Sequence, residues 1–456
     1  MHRFLKYVLR LLPLMTLLYL CRVNKFLDLY VGVGNRSTLA PGERNQRELP
    51  EEVFHQGEIY ALREMEVPNK ESQTRPGLRM LSRLYAHRPS VEAKYSSPSP
   101  DLMPLIEALK QDLTVKGVIR DPWALAREWA SSKSLVPKSA PGLGDIMAAM
   151  VTAPVTAADS CNAGTQVKIL LKLQGDQKVL FKPKIYPSTA VIYGKNRGSD
   201  RHHGEIAAFY LGRLLGLETL PVAVGRKIRL TKEVLPVASP EFAETFFTNK
   251  RNKTCIHGSC GRCNPNRVSC AGEEDTMEGA VIMWLPEHLH VSENSYAWQH
   301  HYKRKDLLRW EKDENFCEGI LLSDQGEIIL DFIDMSVLDF LIQNTDRHHY
   351  LQAKAPNASI ILVDHGKSFG NPYVDYMDIL ASLLQCCRIR AATRARLVLL
   401  SGGGLSRALR ELLGLDPLAP VLADVHLRAL DRRLEHVLAA LSACSERKGG
   451  WHNVLF

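Results

Sequence analysis

The chain has 456 residues, 45% of them hydrophobic and 24% charged, the balance of an ordinary globular protein with one large domain or two smaller ones. Its formal charge of +8 is modest for this length. No concentrated basic stripe with interleaved aromatics stands out, so composition argues against a nucleic-acid partner.

Residues 1–23, MHRFLKYVLRLLPLMTLLYLCRV, place Arg3, Lys6 and Arg10 before the apolar run Leu11 to Cys21, and Arg22 and Lys25 after it. The run is shorter than the roughly 20 apolar residues of a full bilayer span. No small-x-small cleavage site follows closely. With the basic side chains snorkelling, the segment reads as a signal anchor or signal peptide and implies entry into the secretory pathway, hence a membrane contact through the N-terminus. Sequons at Asn35, Asn252 and Asn357 agree with that route.

Residues 24–100 mix proline, serine and charge and read as a flexible stem, with one helix near Glu58 to Glu66. From Leu102 the apolar residues Leu105, Ile106, Leu109 and Leu113 follow helical spacing, which predicts a helix over 101–114. Residues 165–184 read as a hairpin: Val167, Ile169 and Leu171 alternate with polar positions, and Gly175-Asp176 reverses the chain. A helix follows over 201–216 and a buried strand over 277–285. Beyond 300 the pattern is mainly helical, ending in a stripe of Leu427, Leu430, Leu434, Leu438 and Leu441 that reads as core packing. Strands first and helices afterwards predict an α+β fold of two lobes, about 101–280 and 286–456, with a cleft between them.

Of the ten cysteines, eight remain once Cys21 and the isolated Cys161 are set aside. Cys255, Cys260, Cys263 and Cys270 cluster, and zinc ligation competes with disulfides there, but an oxidising lumen favours disulfides. Adjacent Cys386 and Cys387 do not readily bridge each other; they reach outward to two distant partners and staple the last helices to the body.

Phosphoryl transfer needs a lysine for the phosphates, an acid to fix it, a carboxylate for a divalent ion and another to receive the hydroxyl proton. The chain offers them in the order used by protein kinases. Lys182 lies on the strand KVLFKPK, where Pro183 suggests a sheet edge facing the cleft. Glu205 follows on the next helix, Asp346 sits in NTDRHHY, and Asp364 ends the apolar run of SIILVDHGKSFG. No G-x-G-x-x-G precedes Lys182, so any phosphate lid is atypical, built by the stretch NAGTQ.

The strings AGTQVKILLKLQGDQKVLFKPK, MEGAVIMWLPE, NTDRHHY, VDHGKSFGNP and ILASLLQCCRIR resemble those of the secretory-pathway kinases that include the Golgi casein kinase. DPWALAREWA, WQHHYKRKDLLRWEKDENFC and DPLAPVLADVHLRALDRRL narrow the resemblance to the branch that phosphorylates the linkage xylose of proteoglycans. The resemblance covers roughly residues 120–450. It implies a two-lobed atypical protein-kinase-like fold, strand-rich in the first lobe, mainly helical in the second and stapled by disulfides, within a kinase domain drawn over 101–456. It implies a single-pass protein of the Golgi lumen, ATP as donor and Mn2+ as the ion, with Mg2+ as the alternative. The implied acceptor is galactosyl-xylose on serine, phosphorylated at the xylose 2-hydroxyl, and a dimer with itself or a family member is a further implied partnership.

Residue by residue, Gln166, Lys182 and Glu205 match nucleotide-binding positions, and Ile282, Met283, Trp284 and Leu285 match the hinge against adenine. Asp346 matches the catalytic acid, Asp364 the metal aspartate and Asp200 a second metal-binding acid. The implied disulfides are Cys255–Cys270, Cys260–Cys263, Cys317–Cys386 and Cys387–Cys444. One position departs: the family carries a glutamate, and protein kinases a metal-binding asparagine, where this chain has Leu351. Three consequences stand open: a single ion held by Asp200 and Asp364, help from the neighbouring Gln352, or a nucleotide-binding pseudokinase. His365 replaces the family's asparagine beside the metal acid.

A neutral sugar calls for aromatic platforms, for which Trp284, Trp298, Trp310 and Tyr302 are candidates. The competing reading, a lumenal serine protein kinase, calls for a basic groove, for which Arg388, Arg390, Arg394 and Arg396 are candidates.

Overall fold

The structure, a computed structural model, describes residues 75–161, 164–258, 268–300 and 306–456. The expected anchor, the helix near Glu58, Asn35, the Cys260–Cys263 pair, Tyr302 and two residues of the expected phosphate lid, Asn162 and Ala163, lie outside the described residues. Among the described residues no helix is long and apolar enough to cross a membrane.

The strand-rich half is built on a five-stranded antiparallel sheet of order β1-β2-β3-β8-β4. Its strands are β1 (Val155–Ser160), β2 (Ile169–Leu173), β3 (Gln177–Pro183), β4 (Ala223–Arg229) and β8 (Thr276–Met283). The β2–β3 hairpin turns where expected: Gly175 and Asp176 hold φ of 86° and 65°, a left-handed region that glycine and aspartate tolerate best. A Cβ at Gly175 would lie 2.7 Å from the Trp123 ring, so the turn also needs glycine for close packing. β3 is central, between β2 and β8, which corrects the expectation of an edge strand. Pro183 is tolerated because it is the last residue of the strand, where its missing N–H costs least. A small sheet of β5 (Phe246–Thr248), β6 (Thr254–His257) and β7 (Val268–Cys270) is crossed by the Cys255–Cys270 disulfide, which answers the zinc alternative for those two cysteines.

Four helices precede the sheet: α1 (Met80–Lys94), α2 (Leu102–Leu113), α3 (Pro122–Trp129) and α4 (Leu143–Thr152). α2 buries Leu102, Leu105, Ile106, Leu109 and Leu113, the stripe its spacing predicts. α3 starts at Asp121, whose carboxylate accepts from Ala124 N at 2.8 Å, with Pro122 in the first turn, where its absent N–H is harmless. α1 falls inside the stretch read as stem. It buries Leu81, Leu84 and Val91 and packs along the last helix, so the stem does not reach residue 100.

After β3 the chain runs through a long loop into α5 (His202–Leu215), which is buried throughout and stops at Gly216, φ 74°. The helical half holds α6 (Phe316–Leu321), α7 (Ile329–Ile342), α8 (Ala381–Cys386), α9 (Ala391–Leu399), α10 (Gly404–Leu413) and α11 (Asp424–Arg447). A three-stranded sheet of order β11-β10-β9 lies among them: β9 (Val291–Ser295), β10 (His349–Ala353) and β11 (Ile360–Ile361). Its core gathers Phe332, Ile333, Val337, Leu341, Leu430 and Leu441, all fully buried.

Cys317–Cys386 ties α6 to α8, and Cys387–Cys444 ties the end of α8 to α11, so the adjacent cysteines do reach separate partners. With sequence separations of 69 and 57 residues, each bridge limits the unfolded chain by up to about 4 kcal/mol. Cys161 is a buried free thiol. The sequon residues Asn252 and Asn357 both sit exposed in positive-φ turns.

Candidate active site

Pairing in the main sheet places Leu170, Leu180 and Ile282 side by side across β2, β3 and β8. Lys182 lies two residues beyond Leu180 and therefore points to the same face. On the opposite face Ile169, Leu171, Val179, Phe181 and Val281 are fully buried, whereas Leu170, Leu180 and Ile282 are only half-buried. The sheet thus presents an apolar patch that ends in a lysine. Sequence reasoning missed Leu170 and Leu180; the signal was the unbroken apolar run Val179-Leu180-Phe181, which marks a strand covered on both faces.

Lys182 is 5% exposed and is the hub of the site. Its Nζ donates to Glu205 Oε1 at 2.6 Å and to Asp364 Oδ1 at 2.7 Å, and lies 3.6 Å from Asp200 Oδ2. Lys367 adds a second ammonium 3.7 Å from Asp200 Oδ1. Burial opposes the charged form of Lys182, but the carboxylates of Asp364, Glu205 and Asp200 outweigh it and hold its pKa well above the usual lysine value. Burial likewise works against the Glu205 anion, yet Lys182 and the His365 ring pull it down to about 2. Lys182 beside Asp364 holds that carboxyl far below the ordinary aspartate range. Asp200 differs: burial, with Asp364 and Glu205 nearby, pushes it up despite Lys182 and Lys367.

The two halves interlock at this point. Glu205 Oε1 also accepts from His365 N at 3.0 Å, so the acid that fixes the lysine fixes the backbone next to Asp364. A Cβ on Gly204 would sit 2.5 Å from His365 O, and one on Gly366 would sit 2.6 Å from Asp200 Cγ. Both contacts are with atoms that cannot easily move, so glycine is needed for this approach. Asp364 itself has φ 62° and leaves its side chain 70% exposed toward the cleft.

Asp346 is placed by a separate network. α7 ends at Gln343 in the left-handed region, φ 58°, and the next residue, Asn344, accepts from Asp346 N at 3.2 Å. Asn344 Nδ2 donates to Asp339 Oδ1 at 2.9 Å and to Asp364 O at 3.3 Å. Arg347 grips Asp339 with two bonds of 2.7 and 2.9 Å and donates to Val363 O at 2.6 Å. Asp339, 1% exposed near the end of α7, therefore locks the Asp346 loop to the Asp364 segment. Its presence within VLDFLI was the available sequence signal. His348 Nε2 lies 2.6 Å from Asp346 Oδ1.

Gln166 lines a cavity of about 230 Å³ together with Lys182, Ile185 and Asp200. Of the hinge residues, Ile282 faces the cleft, while Met283, Trp284 and Leu285 line a separate cavity of about 330 Å³ with Trp129, Val136 and Pro221. Met283 N and Trp284 N are occupied by Val222 O and Lys178 O. The larger cavity is therefore not where the acids gather. Leu351 pairs with Ile361 and packs against the core. The Nε2 of Gln352 donates to Ala358 O at 2.7 Å, in the turn beyond β10.

Three carboxylates, Asp200, Glu205 and Asp364, face two ammonium groups, and the outermost acid is open to solvent. Such hard oxygen donors short of one positive charge fit a divalent cation. Among the described residues no group of three His, Cys, Asp or Glu side chains is arranged to hold an ion by itself.

Trp298 and Trp310 are core residues, 2% and 1% exposed, with indole N–H groups donated to Gln385 and Gln299, so they are not sugar platforms. Three of the arginines named for the basic groove of the competing reading have local partners. Arg390 is bound to Asp331 and Asp334, while Arg388 stacks on Phe456 and Arg394 on Trp451.

The family model described as Golgi casein kinase, C-terminal, Fam20 matches residues 121–453. The glycosaminoglycan xylosylkinase of Danio rerio is 43% identical over 343 residues, which span 74% of this chain and 83% of that protein. The solved structure of hydra Fam20 with sugar has a TM-score of 0.71 and 40% identity, covering 74% of this chain and 99% of that one. The crystal structure of the Golgi casein kinase with Mn/ADP bound has a TM-score of 0.70 and 26% identity, covering 79% of this chain and 93% of that one.

Proposed function

This chain belongs to the Fam20 family of Golgi casein kinases, phosphotransferases that act on hydroxyl groups, and from that premise we propose that it transfers the γ-phosphoryl group of ATP to the 2-hydroxyl of xylose in the proteoglycan linkage region. The observation that carries the reading is the convergence of Lys182, Glu205, Asp200 and Asp364 on one point, tied through Asn344 to the loop of Asp346.

In this reading the adenine lies on Leu170, Leu180 and Ile282, and Lys182 reaches the phosphates, held in line by Glu205. Gln166 lines a cavity with Lys182 and Asp200, a position from which it would contact the nucleotide. Asp200 and Asp364 would hold Mn2+, which would supply positive charge against the phosphate oxygens. Asp346 accepts the proton of the acceptor hydroxyl as that oxygen forms its bond to the γ-phosphorus; the bond to the β,γ-bridging oxygen breaks, and ADP leaves with that electron pair. His348 beside Asp346 orients the carboxylate. Leu351 is apolar and packed against the core, so it would add no ligand to an ion held by Asp200 and Asp364. The site of action is the Golgi lumen, reached through the N-terminal apolar segment.

Of the arginines named for the serine-kinase alternative, Arg390 is neutralised by Asp331 and Asp334. The test is direct. Purified protein with Mn2+ and ATP is offered a galactosyl-xyloside or an acidic serine peptide, and products are weighed by mass spectrometry. Phosphate on the xylose is expected; phosphate on the peptide alone overturns the sugar assignment, and phosphate on neither supports the pseudokinase reading.

A further inference from the structure

The loop between β3 and α5 crosses from the sheet to the helical half and is fastened there on both sides of Tyr193. Ile192 N donates to Gly370 O at 2.6 Å, six residues beyond Asp364. Lys195 Nζ donates to Asp378 Oδ2 at 2.5 Å and lies 5.1 Å from the centre of the Tyr376 ring. Asn196 N donates to Thr345 Oγ1 at 3.0 Å, the residue next to Asp346. Lys367 closes the far end by donating to Gly198 O at 2.5 Å. Gly194 turns the chain with φ 91°, a conformation that favours glycine.

Tyr193 is nonetheless 56% exposed. Among the described residues the other strongly exposed aromatic is Phe456, and the Arg388 guanidinium covers it at 4.4 Å. A loop fixed at three neighbouring residues gains nothing for its own packing by holding a phenol ring in water. Three residues of chain keep the Tyr193 Cα within about 11 Å of Asn196, and so close to the catalytic loop. The one lysine between them is neutralised by Asp378 and does not advertise for an acidic ligand.

We propose that Tyr193 is the platform on which the acceptor sugar stacks, a specificity-determining residue that holds the disaccharide while its hydroxyl meets Asp346. A phenol ring offers a flat apolar surface for the C–H face of a pyranose and a hydroxyl for its rim. This rests on the sugar-kinase reading above and adds the residue that selects the ring.

Steady-state kinetics with a galactosyl-xyloside and Mn–ATP test it. Tyr193→Ala raises the KM for the sugar about tenfold, the upper range for one aromatic contact. Its kcat and its KM for ATP stay within about twofold, because a loss of uniform acceptor binding appears in KM alone. Tyr193→Phe keeps the sugar KM within about threefold of wild type, since the ring remains. An unchanged sugar KM in Tyr193→Ala, or an equal rise in the KM for ATP, overturns the assignment. If wild-type protein phosphorylates only the serine peptide, the sugar-kinase reading itself fails, whatever Tyr193 does.

Discussion

Asp346→Asn is expected to lower kcat at least about 100-fold, the lower end for a positioned general base. The substitution keeps the shape of the side chain. It also keeps the loop, because the Asp346 contact to Asn344 is made by the backbone N–H and not by the carboxylate. Asn344, Arg347 and Asp339 hold the turn from the opposite side. The loss therefore reports the missing proton acceptor and not a collapsed loop. Single-turnover transfer measures it, with binding of Mn–ATP as the control, which stays within about threefold because Asp346 is not a nucleotide contact. A variant as fast as wild type would remove Asp346 from the chemistry.

Lys182→Met is expected to cost both activity and stability. Turnover falls about 100- to 1,000-fold, the range for losing one preorganised charge at a transferring group. Stability falls by about 3 kcal/mol, because Glu205 is left as a buried and unpaired anion. Asp364 adds little to that cost, since its side chain faces solvent. The pH dependence has a definite sign. Glu205 is held at about 2 in the fold against roughly 4.3 unfolded, so the pair's contribution is complete above about pH 4.3 and fades as pH falls through 2. The difference in melting temperature between wild type and variant should shrink below pH 4. Lys178→Met, which removes a half-buried lysine of the same strand paired with the exposed Glu287, should change stability by no more than about 0.5 kcal/mol. A variant whose deficit is the same at pH 3 and pH 7 would mean that Glu205 is not the group exposed by the change.

Local patterns carried much of the fold. The hairpin at Gly175-Asp176, the helices over Leu102–Leu113 and His202–Leu215, and the closing leucine stripe each follow from spacing that a single element imposes on its own residues. What stayed hidden depends on partners far away in the chain. α1 looks like a linker because its apolar residues are sparse and Pro89 interrupts it; it is a helix because Leu81, Leu84 and Val91 find α11. The central place of β3 is invisible locally, since its neighbour β8 lies about a hundred residues on.

The site shows the same division. Lys182, Glu205, Asp346 and Asp364 stand out because their strings are distinctive. The residues that aim them, Asp339, Asn344, Arg347 and the close-contact glycines Gly204 and Gly366, act through backbone atoms and buried bonds that no spacing rule reveals. Within the segment read as hinge, Ile282 pairs beside Leu180 while Met283, Trp284 and Leu285 line the larger cavity, a division set by the sheet and not visible in the string. The sequence placed Gln352 beside the missing acid but could not show that its amide nitrogen is bonded to the turn at Ala358.

The central claim is that one Mn–nucleotide is held between Lys182 and the two aspartates. Anomalous scattering at the manganese edge, from crystals grown with Mn2+ and ADP, tests it most directly. The account predicts a manganese peak bonded to the carboxylates of Asp200 and Asp364 and to ADP oxygens, with Leu351 in no contact with the metal and the adenine against Leu180 and Ile282. A manganese peak away from both aspartates, or ADP seated in the larger cavity behind Trp284, would contradict it.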